Sequence, residues 1–257
     1  MIIEIKDGKQ ARAEREAAQE AAREAARAGK RPQDAPLRSG GLAPDPFGKE
    51  NYRRMKALLK ERVSERRFQH SKGVAKTARK LARVYGYPNP EQARMAGLVH
   101  DWDKRYVGQA ARDRVAELGM DIDPTIVESM PWLLHGPTGA EALRRSFPEL
   151  GEAVFQAVAR HTSGAVGMTD LDMIVFTADL IEPSRTFKDV EPVRAAVGKG
   201  SLEDLFFTAF KAIFVNLVQN NRMLHPDMVE IWNHYSVRQP GAQKGRLSSS
   251  PDPRLNN

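Results

Sequence analysis

From residue 49 to 238 the hydrophobic positions recur at helical spacing. Tyr52, Met55, Leu58 and Leu59 fall three or four apart, and so do Phe68, Val74, Ala78, Leu81 and Ala82. That spacing is the signature of an amphipathic helix with one face turned to a core. The second run stops at Gly86 and Pro88, and a new one begins after Pro90, which suits a first helical turn. Glu128–Leu134 and Ala140–Phe147 are short apolar pieces set apart by Gly136-Pro137. Pro148–His161 carries Leu150, Val154, Ala157 and Val158 on one face, and Leu171–Ile181 is strongly apolar up to Pro183. Ser201–Leu217 opens on Ser201 and Asp204, a capping-box pair. His225–Tyr235 follows with Pro226 at its start. No stretch alternates with period two between hairpin turns. The pattern predicts an all-α domain, a bundle of about seven helices without internal repeats.

The flanks differ from this domain. Residues 11–29, ARAEREAAQEAAREAARAG, are strong helix formers but contain no Leu, Ile, Val or Phe to bury. They predict a solvated helix, open to use as a nucleic-acid-binding arm. Residues 30–48 are rich in Pro and Gly and read as a linker. Residues 239–257 read as a disordered tail. The expected division is therefore 1–48, 49–238 and 239–257. Nothing approaches a membrane span of roughly 18 apolar residues, and the first ten residues lack the apolar run of a secretory signal, so a cytoplasmic protein is expected. The chain has no cysteine, which leaves only His and carboxylates to hold a metal and suits Fe, Mn, Co, Ni or Zn. A net charge of +7 suits an anionic partner, nucleic acid or polyphosphate. The oligomeric state is not specified, and a homodimer stays open.

Four of the six histidines share one kind of position. His70 lies on the face formed with Val74, Thr77, Ala78 and Leu81. His100-Asp101 emerges from the apolar helix ARMAGLV. His135 follows Pro131–Leu134, and His161 closes EAVFQAVARH before the small residues Thr162, Ser163 and Gly164. Asp179 sits within IVFTADLI, on the face of Asp172 and Phe176. Any one of these alone reads as a satisfied core or capping residue. Buried carboxylates, however, are normally paired or bound to metal, and one shared site accounts for all six residues together. His225, before Pro226, reads as a cap, and His234 as a surface residue.

The order His, His-Asp, His, His, Asp, in the segments RFQHSKGVAKTARKLARVYG, EQARMAGLVHDWDK, LLHGPTGA, VARHTSG, IVFTADLIEPSR and LHPDMVEIWN, resembles the HD phosphohydrolase superfamily. It is most similar to the YqeK-type symmetrical bis(5'-nucleosyl)-tetraphosphatases. The resemblance implies two metal ions, most often iron. His70, His100, Asp101 and Asp179 would hold one, and Asp101, His135 and His161 the other, with Asp101 bridging. It implies catalytic roles for Asp101 and Lys104, and contact with substrate phosphates by Lys104, Thr162, Ser163 and Arg185. The implied reaction is hydrolysis of diadenosine tetraphosphate to two ADP without a covalent intermediate. Trp102 and Asp103 depart from the smaller residues usual after the His-Asp pair, and Trp102 is expected to narrow the substrate pocket. Two other readings compete: an HD enzyme for a deoxynucleotide, cyclic nucleotide or alarmone, and an RNA- or ribosome-associated protein using the N-terminal arm.

Overall fold

A computed structural model of the chain describes residues 41–187 and 189–238. The expectations for the 11–29 helix and for the 239–257 tail lie outside the described residues. Among those described there is no strand, and eleven α-helices form the fold. They are α1 (Lys49–Arg62), α2 (Glu65–Val84), α3 (Pro90–Val99), α4 (Gln109–Glu117), α5 (Pro124–Ser129), α6 (His135–Ser146), α7 (Glu152–Arg160), α8 (Asp170–Ile181), α9 (Val190–Ala196), α10 (Leu202–Gln219) and α11 (Met228–Ser236), with single 3₁₀ turns at Pro131–Leu133 and Pro148–Leu150.

Eleven exceeds the number that periodicity predicts. The additional helices, α4, α5 and α9, are short and bury few large apolar side chains. Helix α9 buries only Val190 and Val193, and α5 buries none. The pieces around Gly136-Pro137 are also rearranged. These two residues do not separate helices; they lie in the first turn of α6, which His135 opens. A proline is tolerated there because the first N–H groups of a helix have no intrahelical partner. The Pro148–His161 run is likewise divided, by Gly151 at φ +79°, a left-handed conformation natural to glycine.

Helix α8 is the axis of the core. Every residue from Leu171 to Ile181 is buried, and α2, α3, α7, α9 and α10 all pack on it. Its start is fixed by a capping box between Thr169 and Asp172, and α10 starts on the expected one between Ser201 and Asp204. Asn89 caps α3 ahead of Pro90. Helices α2 and α3 form the most extensive pair, and Gly97 sets their separation. A Cβ at Gly97 would lie 3.1 Å from Ala75 Cα, Ala78 Cβ and Val74 O. This close approach brings His70 on α2 near His100 at the end of α3. Ahead of α1, residues 41–48 run along the domain, held where Asn51 accepts from Ala43 N–H and donates to the Ala43 and Asp45 carbonyls. No helix among the described residues is long and apolar enough to cross a membrane.

Replacing Gly97 with valine overpacks the α2–α3 contact, and a loss of about 1–3 kcal/mol or more is expected. Urea unfolding followed by circular dichroism measures it.

Candidate metal centre

The six residues singled out by sequence meet in one buried place. His70, His100, Asp101, His135, His161 and Asp179 are all buried, none more than 7% exposed. Each comes from a helix or a helix end: α2, the C-terminus of α3, the first residue of α6, the C-terminus of α7 and the last turn of α8. His70 Nε2 lies 2.9 Å from Asp179 Oδ1. His100 Nε2 is 3.2 Å from Asp101 Oδ2 and 3.8 Å from Asp179 Oδ1. On the other side, His135 Nε2 is 3.2 Å from Asp101 Oδ1 and 3.2 Å from His161 Nε2. The two oxygens of Asp101 thus face different imidazoles, and the carboxylate stands between the two halves of the cluster.

All four rings are oriented alike. Nδ1 faces an acceptor and Nε2 faces inward. His100 Nδ1 faces Gly97 O at 2.9 Å, His135 Nδ1 faces Trp132 O at 2.9 Å, and His161 Nδ1 faces Val158 O at 2.6 Å. His70 Nδ1 faces Glu182 Oε1 at 3.0 Å. Three of these acceptors are the carbonyls three residues back, which a histidine at a helix end or in a tight turn meets naturally. An Nδ1–H donated outward leaves Nε2 with a lone pair aimed into the cluster, the arrangement expected of metal-ligating histidines. The Nε2 atoms of His70 and His100 are buried, and no hydrogen bond of good angle satisfies either. Donor atoms of His70, His100 and Asp179 lie within 4.8 Å of one another, and so do those of His100, Asp101 and His161. A set of imidazole and carboxylate donors this close fits a divalent cation.

The electrostatics agree with that fit at Asp101, Asp179, His135 and His161, whereas at His100 burial, which would lower the imidazole, is outweighed by Asp101 and Asp179, which raise it. Burial would raise the Asp101 carboxyl, but the charges of His100 and Arg67 and the close approach of His100 and His135 hold it well below the usual carboxylate range. Burial likewise opposes ionisation of Asp179, where Arg185, His70 and His100 prevail and keep it low. Burial and the Lys104 charge push His135 well below its usual value, and burial and His100 push His161 down. Ionised carboxylates and neutral imidazoles are the forms that bind metal.

Around this centre lie the other residues picked from the sequence, with some differences. Lys104 Nζ is 3.3 Å from His135 Nε2, and burial pushes its ammonium down to about 8 against the pull of Asp101. Arg185 donates to Asp179, to Oδ1 at 2.6 Å and to the main-chain oxygen at 3.0 Å. Thr162 is buried, and Ser163 donates to Gly164 O; both line a cavity beside the cluster. His225 is not the cap of α11, whose N-cap is Asp227 without a side-chain capping bond; its Nδ1 accepts from Asp227 N–H in the turn before the helix. Trp102 does not narrow a substrate pocket. It is fully buried in the core, edge-on to Phe147 at 5.9 Å and beneath the Arg62 guanidinium at 4.5 Å. Asp103 is also turned inward, paired with Arg62 and Arg114 at 3.0 Å each.

Two residues escape the sequence reading. Arg67 donates to Asp101 Oδ2 at 2.9 Å, and Glu182 orients His70. Arg67 lies one turn before His70 on α2, so a search of the i−3 neighbours of each histidine would have found it. Gly73 makes room for Glu182, since a Cβ there would overlap its carboxylate.

The HD domain family matches residues 67–184. The symmetrical bis(5'-nucleosyl)-tetraphosphatase of Halalkalibacterium halodurans is 32% identical over 71% of this chain and 95% of its own length. The chain belongs to the HD domain family. The enzyme of the same description from Bacillus subtilis is 30% identical over 69% of this chain and 93% of its own. A crystal structure from Clostridium acetobutylicum, described as a predicted HD superfamily hydrolase involved in NAD metabolism, is similar with a TM-score of 0.68 and 30% identity. It covers 73% of this chain and 98% of that one.

In this HD domain, Glu182→Ala removes the acceptor that orients His70. A 10–100-fold weaker affinity for Mn²⁺ is expected from such a change, with helicity retained. Isothermal titration with Mn²⁺ and circular dichroism check both.

Proposed function

We propose that the protein is a metal-dependent phosphohydrolase that splits diadenosine tetraphosphate and related dinucleoside tetraphosphates symmetrically into two nucleoside diphosphates. The observation that carries this reading is the convergence of four inward-facing Nε2 atoms and two ionised carboxylates inside an HD domain. The substrate is supported by the relatives, which are described as symmetrical tetraphosphatases and are aligned over more than nine-tenths of their length.

In this proposal His70, His100, Asp101 and Asp179 hold one metal ion, and Asp101, His135 and His161 hold a second, with Asp101 shared. Iron is proposed as the native metal, and Mn, Co, Ni or Zn suit the same donors. When bound, such a pair supplies Lewis acidity and lowers the pKa of water into the neutral range.

The remaining chemistry belongs to the chain. A tetraphosphate bridge is highly anionic, and the cluster has a cationic border. Arg66 is lowered by burial and by the charges of Arg67 and Arg185, and the same two arginines oppose the charge on Lys104. Lys104 and Arg185 serve as phosphate contacts, with Arg66 and Arg67 beside them; Arg67 and Arg185 are already paired with Asp101 and Asp179. Water adds to one phosphorus of the central P–O–P linkage, the bridging oxygen leaves with the other half, and each half carries away one ADP. A nucleoside diphosphate is a good leaving group, so a strong general acid is not required. Thr162 and Ser163 place small polar groups beside His161, where a phosphate or ribose can approach. The proposed setting is the cytoplasm.

The test is hydrolysis of diadenosine tetraphosphate by the Fe-, Mn- or Co-loaded protein with products separated by chromatography. ADP as sole product is expected, and ATP plus AMP would contradict the symmetrical reading. Asp101→Ala is expected to lose both bound metals and nearly all activity, as removal of a shared ligand disables both halves of a two-metal site. Metal analysis of that variant reads the first effect independently of turnover.

A further inference from the structure

The positive charge of the chain is not spread evenly. The run from Lys49 to Val84, which holds α1 and α2, carries thirteen Lys and Arg and only three acidic residues, Glu50, Glu61 and Glu65. Its surplus exceeds the +7 of the whole chain, so the rest of the protein is net acidic. Like charges gathered in one place oppose the compact state through self-repulsion, and solubility alone does not require them to be gathered.

Helical spacing gathers them further. On α1, Lys49, Arg53, Lys56 and Lys60 recur three or four apart and share one face. On α2, Lys72, Lys76, Lys80 and Arg83 do the same. Six of these eight are exposed, and Lys56 and Lys72 are half-buried. The two stripes meet at Phe68, where the Lys56 and Lys72 ammonium groups lie 6.0 and 5.2 Å from the centroid of one ring. Among the described residues none of the eight forms an ion pair; Glu91, the acidic residue near α2, is taken by Arg79 and Arg94. The α2 stripe stands on the side opposite His70, Val74 and Leu81, which face the core, so it is separate from the metal centre.

The chemistry of this face selects its partner. A membrane-surface helix sets Trp, Phe or Leu beside its cations, and a protein interface is anchored by a buried apolar or aromatic centre. Here Val84 is the only large apolar side chain exposed on either helix. Single-stranded nucleic acid is held by stacking on aromatic rings, and Phe68, at 5% exposure, is buried. Double-stranded nucleic acid needs only cations spaced along its phosphates, which set affinity without reading bases. We propose that the α1–α2 face docks double-stranded nucleic acid by its phosphate backbone, without sequence preference. The metal centre takes no part in this docking.

The experiment is fluorescence anisotropy of a labelled DNA duplex of about 20 base pairs with the full chain, at roughly 50 and 200 mM salt. The unaltered protein is expected to bind at the lower salt and to lose on the order of 10²-fold in affinity at the higher. Lys72→Gln, Lys76→Gln, Lys80→Gln and Arg83→Gln together are expected to weaken binding by about tenfold or more and to flatten the salt slope by about 3. Helicity and Mn²⁺ binding are expected to be unchanged in that variant. The α1 counterpart, Arg53→Gln, Lys56→Gln and Lys60→Gln, is expected to act in the same direction and reads the face a second time if the first variant folds poorly. Arg12→Gln, Arg15→Gln, Arg23→Gln and Arg27→Gln together, in the N-terminal arm, are expected to leave most of the affinity in place. Absence of duplex binding at the lower salt would overturn the proposal. So would binding that both face variants retain, binding lost only in the arm variant, or attachment to phosphatidylserine vesicles in place of the duplex.

Discussion

Two carboxylates ionised inside an apolar helical core are the constraint on which this structure turns. Asp101 and Asp179 are both nearly inaccessible to water. Burial of an unpaired charge costs at least several kcal/mol, so each must be compensated in place. The fold does this from several directions. Arg67 and Arg185 reach the two carboxylates, and four imidazoles surround them. Helix α8 carries Asp179 through the centre of the domain, and Gly97 lets α2 and α3 approach closely enough to bring His70 and His100 to it. Glycine again serves closeness at Gly136, where a Cβ would meet Ala159 O at 2.9 Å. That contact holds the start of α6 against the end of α7 and keeps His135 beside His161.

The histidines gain their orientation from the backbone more than from special partners. At His100, His135 and His161 the Nδ1 acceptor is a carbonyl of the same helix end or turn. Only His70, which lies within α2, needs a carboxylate from elsewhere, and Glu182 just past α8 supplies it. Preorganisation of this kind lowers the cost of assembling a metal site, since little rotamer freedom remains to be lost.

This division explains what could be read from the sequence. The six cluster residues were legible because each is a polar side chain on an apolar helix face or end, a conflict that a shared site resolves. The all-α class was legible from the spacing of large apolar residues, and the capping box of Ser201 and Asp204 marked a helix start correctly. Helices α4, α5 and α9 were not legible, since they bury too little to leave a periodic trace. Gly136-Pro137 read as a break because the dipeptide favours turns, whereas a first helical turn tolerates it equally well. Glu182 was missed because its partner is 112 positions away in the chain, and no local pattern carries that information. Trp102 was misplaced because adjacency to ligands in sequence says nothing of direction. Past the end of α3, the turn aims Asp101 into the cluster and Trp102 into the core.

The central claim is that one preorganised cluster holds two metals shared through Asp101. Anomalous diffraction from crystals of the Mn²⁺-loaded protein tests it most directly. Two anomalous peaks are expected, one among His70, His100 and Asp179 and the other between His135 and His161, with Asp101 contacting both. A single peak, or peaks away from these side chains, would contradict the account.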